Sequence, residues 1–325
     1  MQHLLEPAIE NLHGSWAAER KPILIVASGD TIIAKTRSGG WGQGAPERPD
    51  ILPKRIKKSD RMDPENDIGC CLVGPIAIQG ARPGMVLKVE IEELVVGEYG
   101  LCVTGKNPFG AYESKGVDDT FGWMPWVYDK EKGTATNLLG HTVKLRPFLG
   151  TLGVAPAAPG HHSNLPPRKC GGNIDCKELI AGSTLYLPIE VPEALFSFGD
   201  GHALQGDGEI GDSAIECPME RVRLTVSLRD DMNIQHPFAE TQSGWLSFGF
   251  HEDLKEAMFI ALNGMLDFIM TKLDISRKEA LMLASLTVDL RITQAVNPVT
   301  GVHAFWPFEA ISGQKKRDGF LSRDA

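Results

Sequence analysis

The densest polar cluster in the sequence lies at residues 199–209. It contains two similar triplets, Asp200-Gly201-His202 and Asp207-Gly208-Glu209. In an extended chain the side chains of residues i and i+2 point to the same side, so each triplet can direct two ligand-type groups at one point. The glycines allow a close backbone approach to an ion or a small substrate. Carboxylate and imidazole groups suit Zn²⁺ or a similar divalent ion. The same residues would equally suit a turn in which the carboxylates accept hydrogen bonds from backbone amides.

A second, weaker cluster follows a Gly-Gly pair at residues 171–178. Asn173 and Asp175 share a face there, although a turn leading into a strand would look the same. The adjacent residues Cys176, Lys177 and Glu178 invite comparison with a Cys-Lys-Glu amidase. Neighbours in a strand alternate sides, however, so their contiguity argues against a convergent triad.

Other common site types are absent from the sequence. Counted from Asp200, Leu204 and Gln205 stand where an EF-hand loop requires a ligand and a glycine. No G-x-S-x-G elbow, P-loop or CxxC pair occurs. Six of the nine histidines, at positions 3, 13, 141, 161, 162 and 236, are predicted to lie at the surface. His303, in an apolar setting, is predicted to belong to the core or an interface.

Composition excludes several classes of partner. The formal net charge is −9, which argues against nucleic-acid binding, and the basic run at residues 54–58 is predicted to be a solvated loop. No apolar run approaches the ~20 residues that a membrane span requires. The N-terminus lacks a secretory signal pattern, so we expect a cytoplasmic protein with reduced thiols.

Period-two alternation of apolar residues dominates the chain and predicts the elements that position these clusters. It runs through residues 87–91, 185–191, 222–228 and 288–292, interrupted by turns rich in the 35 glycines and 21 prolines. The pattern indicates a mainly β fold, an antiparallel β-sandwich or barrel-like body, with a helical C-terminal portion. Helical spacing predicts one helix over about 253–272. A capping box at Ser276 and Glu279 opens a second helix through Ala284. The aromatic segment 100–135 is predicted to be a long packed loop, with a substrate lid or a subunit contact as the alternatives.

Both clusters lie within segments that resemble the acetamidase/formamidase family. The most specific run is ALFSFGDGHALQGDGE at residues 194–209. Further matching segments are GGNID (171–175), GSTLYLP (182–188), AIE (214–216), GPIAIQGA (74–81), PFLG and GVAP (147–156), and DLRITQ (289–294). The sequence departs from the family pattern at residues 27–30 and 211–213. Longer family members carry a C-terminal extension that this sequence does not show, so we expect the resemblance to be nearer to the short, acetamidase-like branch.

The resemblance implies hydrolysis of a formamide- or acetamide-like substrate to a carboxylic acid and ammonia, with a bound divalent metal. The expected metal ligands are Asp175, Asp200 and His202, and the ion is expected to be Zn²⁺, with Ca²⁺ or Mn²⁺ as alternatives. The expected catalytic residues are Glu209 as general base and then acid, with Asn173 and Gln205 as donors to the carbonyl oxygen. Asp207 and Glu216 are expected to orient the metal ligands without contacting the metal themselves.

We expect three parts in one catalytic unit. These are an N-terminal extension over residues 1–20, a β-sandwich-like core over 21–230 that contains the site, and a helical segment with a returning strand over 231–325. A homo-oligomer, a dimer or larger, is the expected assembly. The alternatives are a non-catalytic jelly-roll-like module that binds a small ligand or Ca²⁺ through the same acidic loop, and a hydrolase for a cyclic amide or urea-like compound.

Overall fold

The protein is built mainly from β-strands in a computed structural model that describes residues 1–105 and 110–311. The strands are β1 Gln2–Leu5, β2 Leu12–His13, β3 Ser15–Trp16, β4 Leu24–Val26, β5 Asp30–Ala34, β6 Leu72–Ile78, β7 Val86–Val96, β8 Gly100–Thr104, β9 Gly122–Asp129, β10 Thr134–Asn137, β11 Thr142–Lys144, β12 Phe148–Gly153, β13 His162–Ser163, β14 Gly171–Asn173, β15 Thr184–Pro188, β16 Phe196–His202, β17 Glu216–Cys217, β18 Met219–Arg229, β19 Phe238–Glu240, β20 Gly244–His251, β21 Asp289–Gln294 and β22 Thr300–Pro307. Two helices, α1 Leu254–Leu273 and α2 Arg277–Thr287, lie between β20 and β21, and short 3₁₀ turns occupy Ile9–Asn11, Lys58–Asp60, Glu113–Lys115 and Phe308–Ala310.

Two large sheets share one apolar core. The first has the strand order β1-β5-β18-β7-β15-β19-β20-β22-β21, and the second β11-β10-β9-β8-β17-β16-β12-β14, with β6 joining β16 to β2 and β4. Buried side chains from both sheets, such as Val89 and Leu224 from the first and Leu152 and Phe198 from the second, belong to the same cluster. The pairing is antiparallel except for β1 with β5 and β4 with β6. The prediction of a mainly β, sandwich-like fold is confirmed.

The helices cover the first sheet near its C-terminal strands. Asp253 caps α1 by accepting from the backbone amides of Lys255 and Glu256, and Ser276 and Glu279 form the predicted capping box at α2. Phe268 and other buried residues of α1 pack against Trp306 and its neighbours on the first sheet. The predicted helical C-terminal portion is confirmed. Within residues 1–105 and 110–311, no helix is long and apolar enough to cross a membrane.

Two local predictions were wrong. The aromatic segment is only partly a loop, because β8, β9 and β10 fold much of it into an antiparallel extension of the second sheet. Residues 110–121 between β8 and β9 contain only the 3₁₀ turn Glu113–Lys115, and Phe109 lies outside the described residues. Cross-strand pairing satisfies backbone groups that a packed loop would leave exposed. The alternating apolar row of β21, which the pattern predicts to face the core, points outward instead, with Leu290 40% and Ile292 42% exposed; β21 is the last strand of its sheet.

The predicted terminal parts are joined to the core. Strands β1, β2 and β3 place residues of the N-terminal extension in three different sheets. At the other end, Gly208 bridges to Gln294 of β21, and its amide donates to the Thr293 carbonyl. The returning strand therefore anchors the loop that carries Glu209. Residues 312–325 of the predicted third part lie outside the described chain.

Candidate active site

Three neighbouring strands of the second sheet bring the two sequence clusters together. Asp200 and His202 end β16, and Asn173 ends β14 with Asp175 two residues beyond. Strand β12 lies between β14 and β16. On the other side of β16, Glu216 of β17 stands directly opposite His202 in the register. The strand order thus brings two segments that are distant in the sequence together in one site.

His202 lies at the centre of a compact acidic cluster. Its Nε2 is 3.3 Å from Glu216 Oε1 and 3.8 Å from Asp200 Oδ2, and its Nδ1 is 3.9 Å from Asp175 Oδ1. Ligand-type atoms of Asp175, Asp200 and His202 lie within 4.8 Å of one another, and so do those of His202, Glu209 and Glu216. His202 therefore belongs to both groups of possible metal ligands.

Hydrogen bonds fix which imidazole nitrogen faces the carboxylates. The side-chain amide of Gln205 donates through Nε2 to the Asp175 carbonyl at 2.9 Å, so its oxygen faces His202 Nδ1, also at 2.9 Å. Because that oxygen can only accept, Nδ1 carries a proton. The lone pair of the neutral imidazole is then on Nε2, toward Glu216 and Asp200, which is the arrangement expected of a metal-ligating histidine.

The packing leaves room at this cluster for a ligand. Asp175 Oδ1 is buried without a hydrogen-bond partner among the described residues, whereas its Oδ2 accepts from Asn297 Nδ2 at 3.2 Å. Gly150 borders the cluster so closely that a Cβ there would lie 2.6 Å from Asp175 Oδ1 and 3.0 Å from Asp200 Oδ2. A buried carboxylate oxygen without a donor is costly unless a cation or another donor meets it. The donor set of carboxylates and one imidazole fits a divalent metal such as Zn²⁺ or Mn²⁺.

Burial and mutual repulsion dominate the electrostatics of the acids. Burial, followed by the neighbouring Glu209 carboxylate, raises the pKa of Asp175 well above its usual value. Burial and Glu216 raise the pKa of Asp200 to about 6 and that of Glu209 well above normal. For His202, burial opposes protonation, but Glu216 and the other carboxylates outweigh it and raise the pKa to about 10. The cluster therefore has a strong affinity for positive charge.

Three of the acids have a backbone conformation that L-residues rarely adopt. The φ angles are 53° at Asp175, 59° at Asp200 and 49° at Glu209. Each left-handed residue costs about 1 kcal/mol relative to an ordinary conformation. Strain of this kind concentrates at functional sites, where the surrounding structure holds the residue in place.

A cavity of about 510 Å³ opens beside the cluster. Asn173, Asp200, His202, Glu209 and Glu216 line one wall. Thr151 Oγ1 donates to Asn173 Oδ1 at 2.7 Å, which leaves the amide nitrogen of Asn173 available as a donor. Five of the eight polar residues carried over from the sequence resemblance thus border one cavity large enough for a small organic substrate.

The remaining sequence candidates are placed differently. Asp175 is buried behind the cavity wall in the cluster, and Gln205 is occupied by His202 and the Asp175 carbonyl rather than lining the cavity. Asp207 forms an ion pair with Lys177 at 2.8 Å, outside the cluster. The Cys176-Lys177-Glu178 reading fails, because the Cys176 thiol is buried with a raised pKa caused first by that burial. Glu178 instead pairs with Arg146.

The sequence reasoning missed several residues that shape the site. Thr151, Asn297 and Gly150 carry no strong chemical signal by residue type, although Gly150 lies in a segment that resembles the family. The prediction that His13 is a surface residue was wrong. It is buried between the Ser15 carbonyl and Ser197 Oγ, at 2.8 and 2.9 Å, whereas His303 is buried as predicted.

Comparisons with known proteins agree with this geometry. Residues 157–309 match the Acetamidase/Formamidase family model. A segment of 46 residues is 52% identical to the formamidase of Methylophilus methylotrophus, which is 14% of this chain and 11% of that protein. The matched segment thus spans only about a tenth of that relative's length.

Solved structures extend the similarity to nearly the whole chain. The acetamidase of Bacillus halodurans is 29% identical with a TM-score of 0.80, and covers 94% of this chain and 97% of its own. The acetamidase of Yersinia enterocolitica is 25% identical with a TM-score of 0.83, over 96% and 94% of the two chains. The resemblance found in the sequence is therefore confirmed, and both sequence and fold relate this chain to the acetamidase/formamidase family.

Proposed function

We propose that this protein hydrolyses the C–N bond of a small linear amide, giving a carboxylic acid and ammonia. The observation that carries the proposal is the convergence of Asp200, His202, Glu209 and Glu216 on one wall of the cavity. The similarity to solved acetamidases supports it.

A divalent metal is part of this proposal. Asp175, Asp200 and His202 would hold it, with Glu216 close enough to His202 to complete the donor set. When bound there, the ion would supply Lewis-acid polarisation of the amide carbonyl. The buried Oδ1 of Asp175 supports this assignment, because it has no hydrogen-bond partner in the described part of the chain and a bound cation would compensate its burial.

Glu209 is the proposed general base and acid. Burial, followed by the Glu216 and Asp200 carboxylates, raises its pKa well above the usual value, which makes it a stronger base than an exposed glutamate. Its carboxylate would take a proton from the attacking water as the water oxygen bonds to the carbonyl carbon. It would then pass that proton to the amide nitrogen as the C–N bond breaks and ammonia leaves.

Two amide side chains have separate proposed roles. Asn173 would donate from its free amide nitrogen to the carbonyl oxygen as negative charge develops there. Gln205 would act as a positioning residue, because its contacts fix the tautomer of His202 and do not reach the cavity. Asp207 would stabilise the site loop through Lys177 rather than orient a ligand.

Ammonia release from formamide, acetamide and propionamide tests the function. Glu209→Gln should lower kcat by about 10²- to 10⁴-fold, with Glu252→Gln, at an exposed glutamate, as the matched control. Retention of most of the rate by Glu209→Gln would show that the assigned role is wrong. Asp175→Asn should reduce the zinc content measured by atomic absorption. Zinc binding without ammonia from any short, cyclic or urea-like amide would instead favour a binding module.

A further inference from the structure

The lining of the cavity includes two arginines that have no role in the amide hydrolysis proposed above. Arg55 and Arg61 line the same cavity as Asp200, His202 and Glu209. Arg55 belongs to the basic run at residues 54–58, and the lysines of that run do not line the cavity. The cavity lining therefore combines carboxylates with two guanidinium groups.

Arg61 is held in place beside the cavity by stacking and by a hydrogen bond. Its guanidinium carbon lies 4.1 Å from the ring centroid of Trp41, and Nη1 donates to the Asp67 carbonyl. Trp41 is itself fixed, since its Nε1 donates to the Gly69 carbonyl at 2.8 Å. The buried Nε of Arg61 has no hydrogen-bond partner among the described residues. Stacking of this kind orients a guanidinium before a ligand arrives.

Arg55 is fixed at its backbone, whereas its side chain is exposed and has no ion-pair partner among the described residues. Its backbone bridges to Gly42, and the flanking amide of Ile56 donates to the Trp41 carbonyl at 2.9 Å. In residues 1–105 and 110–311 no carboxylate lies within ion-pair distance of its guanidinium. Nearby Arg37 differs, because its guanidinium donates to the carbonyls of Pro7 and Gly42.

The distance between Arg55 and Asp200 limits the length of a ligand that contacts both residues. A Cβ on Gly39 would lie 1.9 Å from Asp200 Oδ1, and a Cβ on the adjacent Gly40 would lie 3.5 Å from Arg55 Cζ. Since adjacent Cα atoms are about 3.8 Å apart, Arg55 Cζ is at most about 12 Å from Asp200 Oδ1. An amide and a carboxylate joined by about two carbons fit this limit once contact distances at both ends are allowed for.

We propose that the substrate is a small amide that also carries a carboxylate, which Arg55 and Arg61 bind while the amide lies at Asp200, His202 and Glu209. This inference rests on the proposed function and adds the substrate class. Guanidinium groups match carboxylates in a two-pronged geometry and bind them more strongly than neutral groups. Formamide and acetamide would fill a small fraction of the cavity and would leave Arg55 and Arg61 without an anion.

Succinamic acid and its uncharged methyl ester test the proposal, because they differ only in the charge at the end remote from the amide. The unmodified enzyme should prefer the acid by about tenfold or more in kcat/KM, mainly through KM. Arg55→Gln should reduce this preference about tenfold, and Arg55→Lys should restore part of it. Lys58→Gln removes the same charge from the same basic run outside the cavity and should keep the preference.

Equal rates for acid and ester in the unmodified enzyme, or an identical preference in Arg55→Gln, would overturn the inference. Calorimetric titration with succinate separates this failure from a failure of the proposed function. If no amide is hydrolysed but succinate binds and Arg55→Gln weakens binding at least tenfold, the anion site stands and the amidase proposal falls. If succinate binding is absent or indifferent to Arg55, the anion site falls as well.

Discussion

Gly150 allows a direct test of whether the acidic cluster is the reaction centre. It lies on β12 with no side chain of its own, and the cluster packs against the position that a Cβ would take. In Gly150→Ala the new methyl would stand 2.6 Å from Asp175 Oδ1, 2.8 Å from His202 Cε1 and 3.0 Å from Asp200 Oδ2. Real Cβ atoms do not approach so closely, so all three side chains must move by several tenths of an ångström.

The magnitude follows from two separate effects of that displacement. Overpacking a dense core by one methyl group costs about 1–3 kcal/mol of unfolding free energy. Displacing groups that must be aligned for reaction by a distance approaching 1 Å costs about 10²-fold in rate. We therefore expect Gly150→Ala to fold with reduced stability and to lose about 10²-fold in kcat/KM for acetamide, with weaker zinc binding.

Two matched glycines separate stability from chemistry. A Cβ on Gly244 of β20 would lie 2.4 Å from the Trp306 carbonyl oxygen, a clash of similar severity remote from the cluster. A Cβ on Gly206 would meet nothing within 4 Å. Urea unfolding should show a loss of stability in Gly150→Ala and Gly244→Ala only, whereas ammonia release and zinc titration should fall in Gly150→Ala only. If Gly150→Ala and Gly244→Ala lost the same fraction of activity, the cluster would not be the reaction centre.

Three further predictions concern stability. Burial lowers the pKa of His13 to about 3 from 6.5, so the unfolded chain binds the extra proton and stability falls as pH drops below 6.5. The loss is about 2 kcal/mol by pH 5, and urea unfolding should show a shallower pH slope for His13→Gln. Zinc at 100 times its Kd should stabilise the chelator-treated protein by about 2.7 kcal/mol, and the resulting rise in Tm should be absent in Asp175→Asn. Ser276→Ala should cost about 1 kcal/mol in urea unfolding because it removes the cap of α2, whereas Ser59→Ala, at an exposed serine, should cost little.

Local physical signals in the sequence predicted the elements well. The alternation at residues 222–228 corresponds to β18, and the capping box at Ser276 begins α2 where expected. Alternation does not reveal where a strand stands in its sheet, and this explains β21. Its apolar row at Leu290 and Ile292 is typical of a core-facing strand, but β21 is the last strand of its sheet and the row is exposed. Position in a sheet depends on long-range pairing, which periodicity does not encode.

The same limit applies to the site. Spacing of two residues predicted that Asp200 and His202 lie together, and both do so near the end of β16, although Asp200 has a φ of 59°. It failed for Asp207 and Glu209, which follow β16 in a turn where Glu209 has a φ of 49°. The turn separates the two side chains, so Glu209 enters the cluster while Asp207 pairs with Lys177. A rule that holds for extended backbone carries no information once the backbone turns.

The residues that sequence reasoning missed share one property, since each contributes through its position rather than its own chemistry. Gly150 leaves space and Thr151 orients Asn173, whereas Arg55 belongs to a basic run whose charged residues are exposed as predicted, and only the fold brings Arg55 to the cavity lining. Reaction chemistry is concentrated in a few residue types and can therefore be read from sequence. Substrate selection depends on which other residues the fold brings to the cavity lining. Arg55 is thus the residue by which this chain's substrate can be distinguished from a simple short amide.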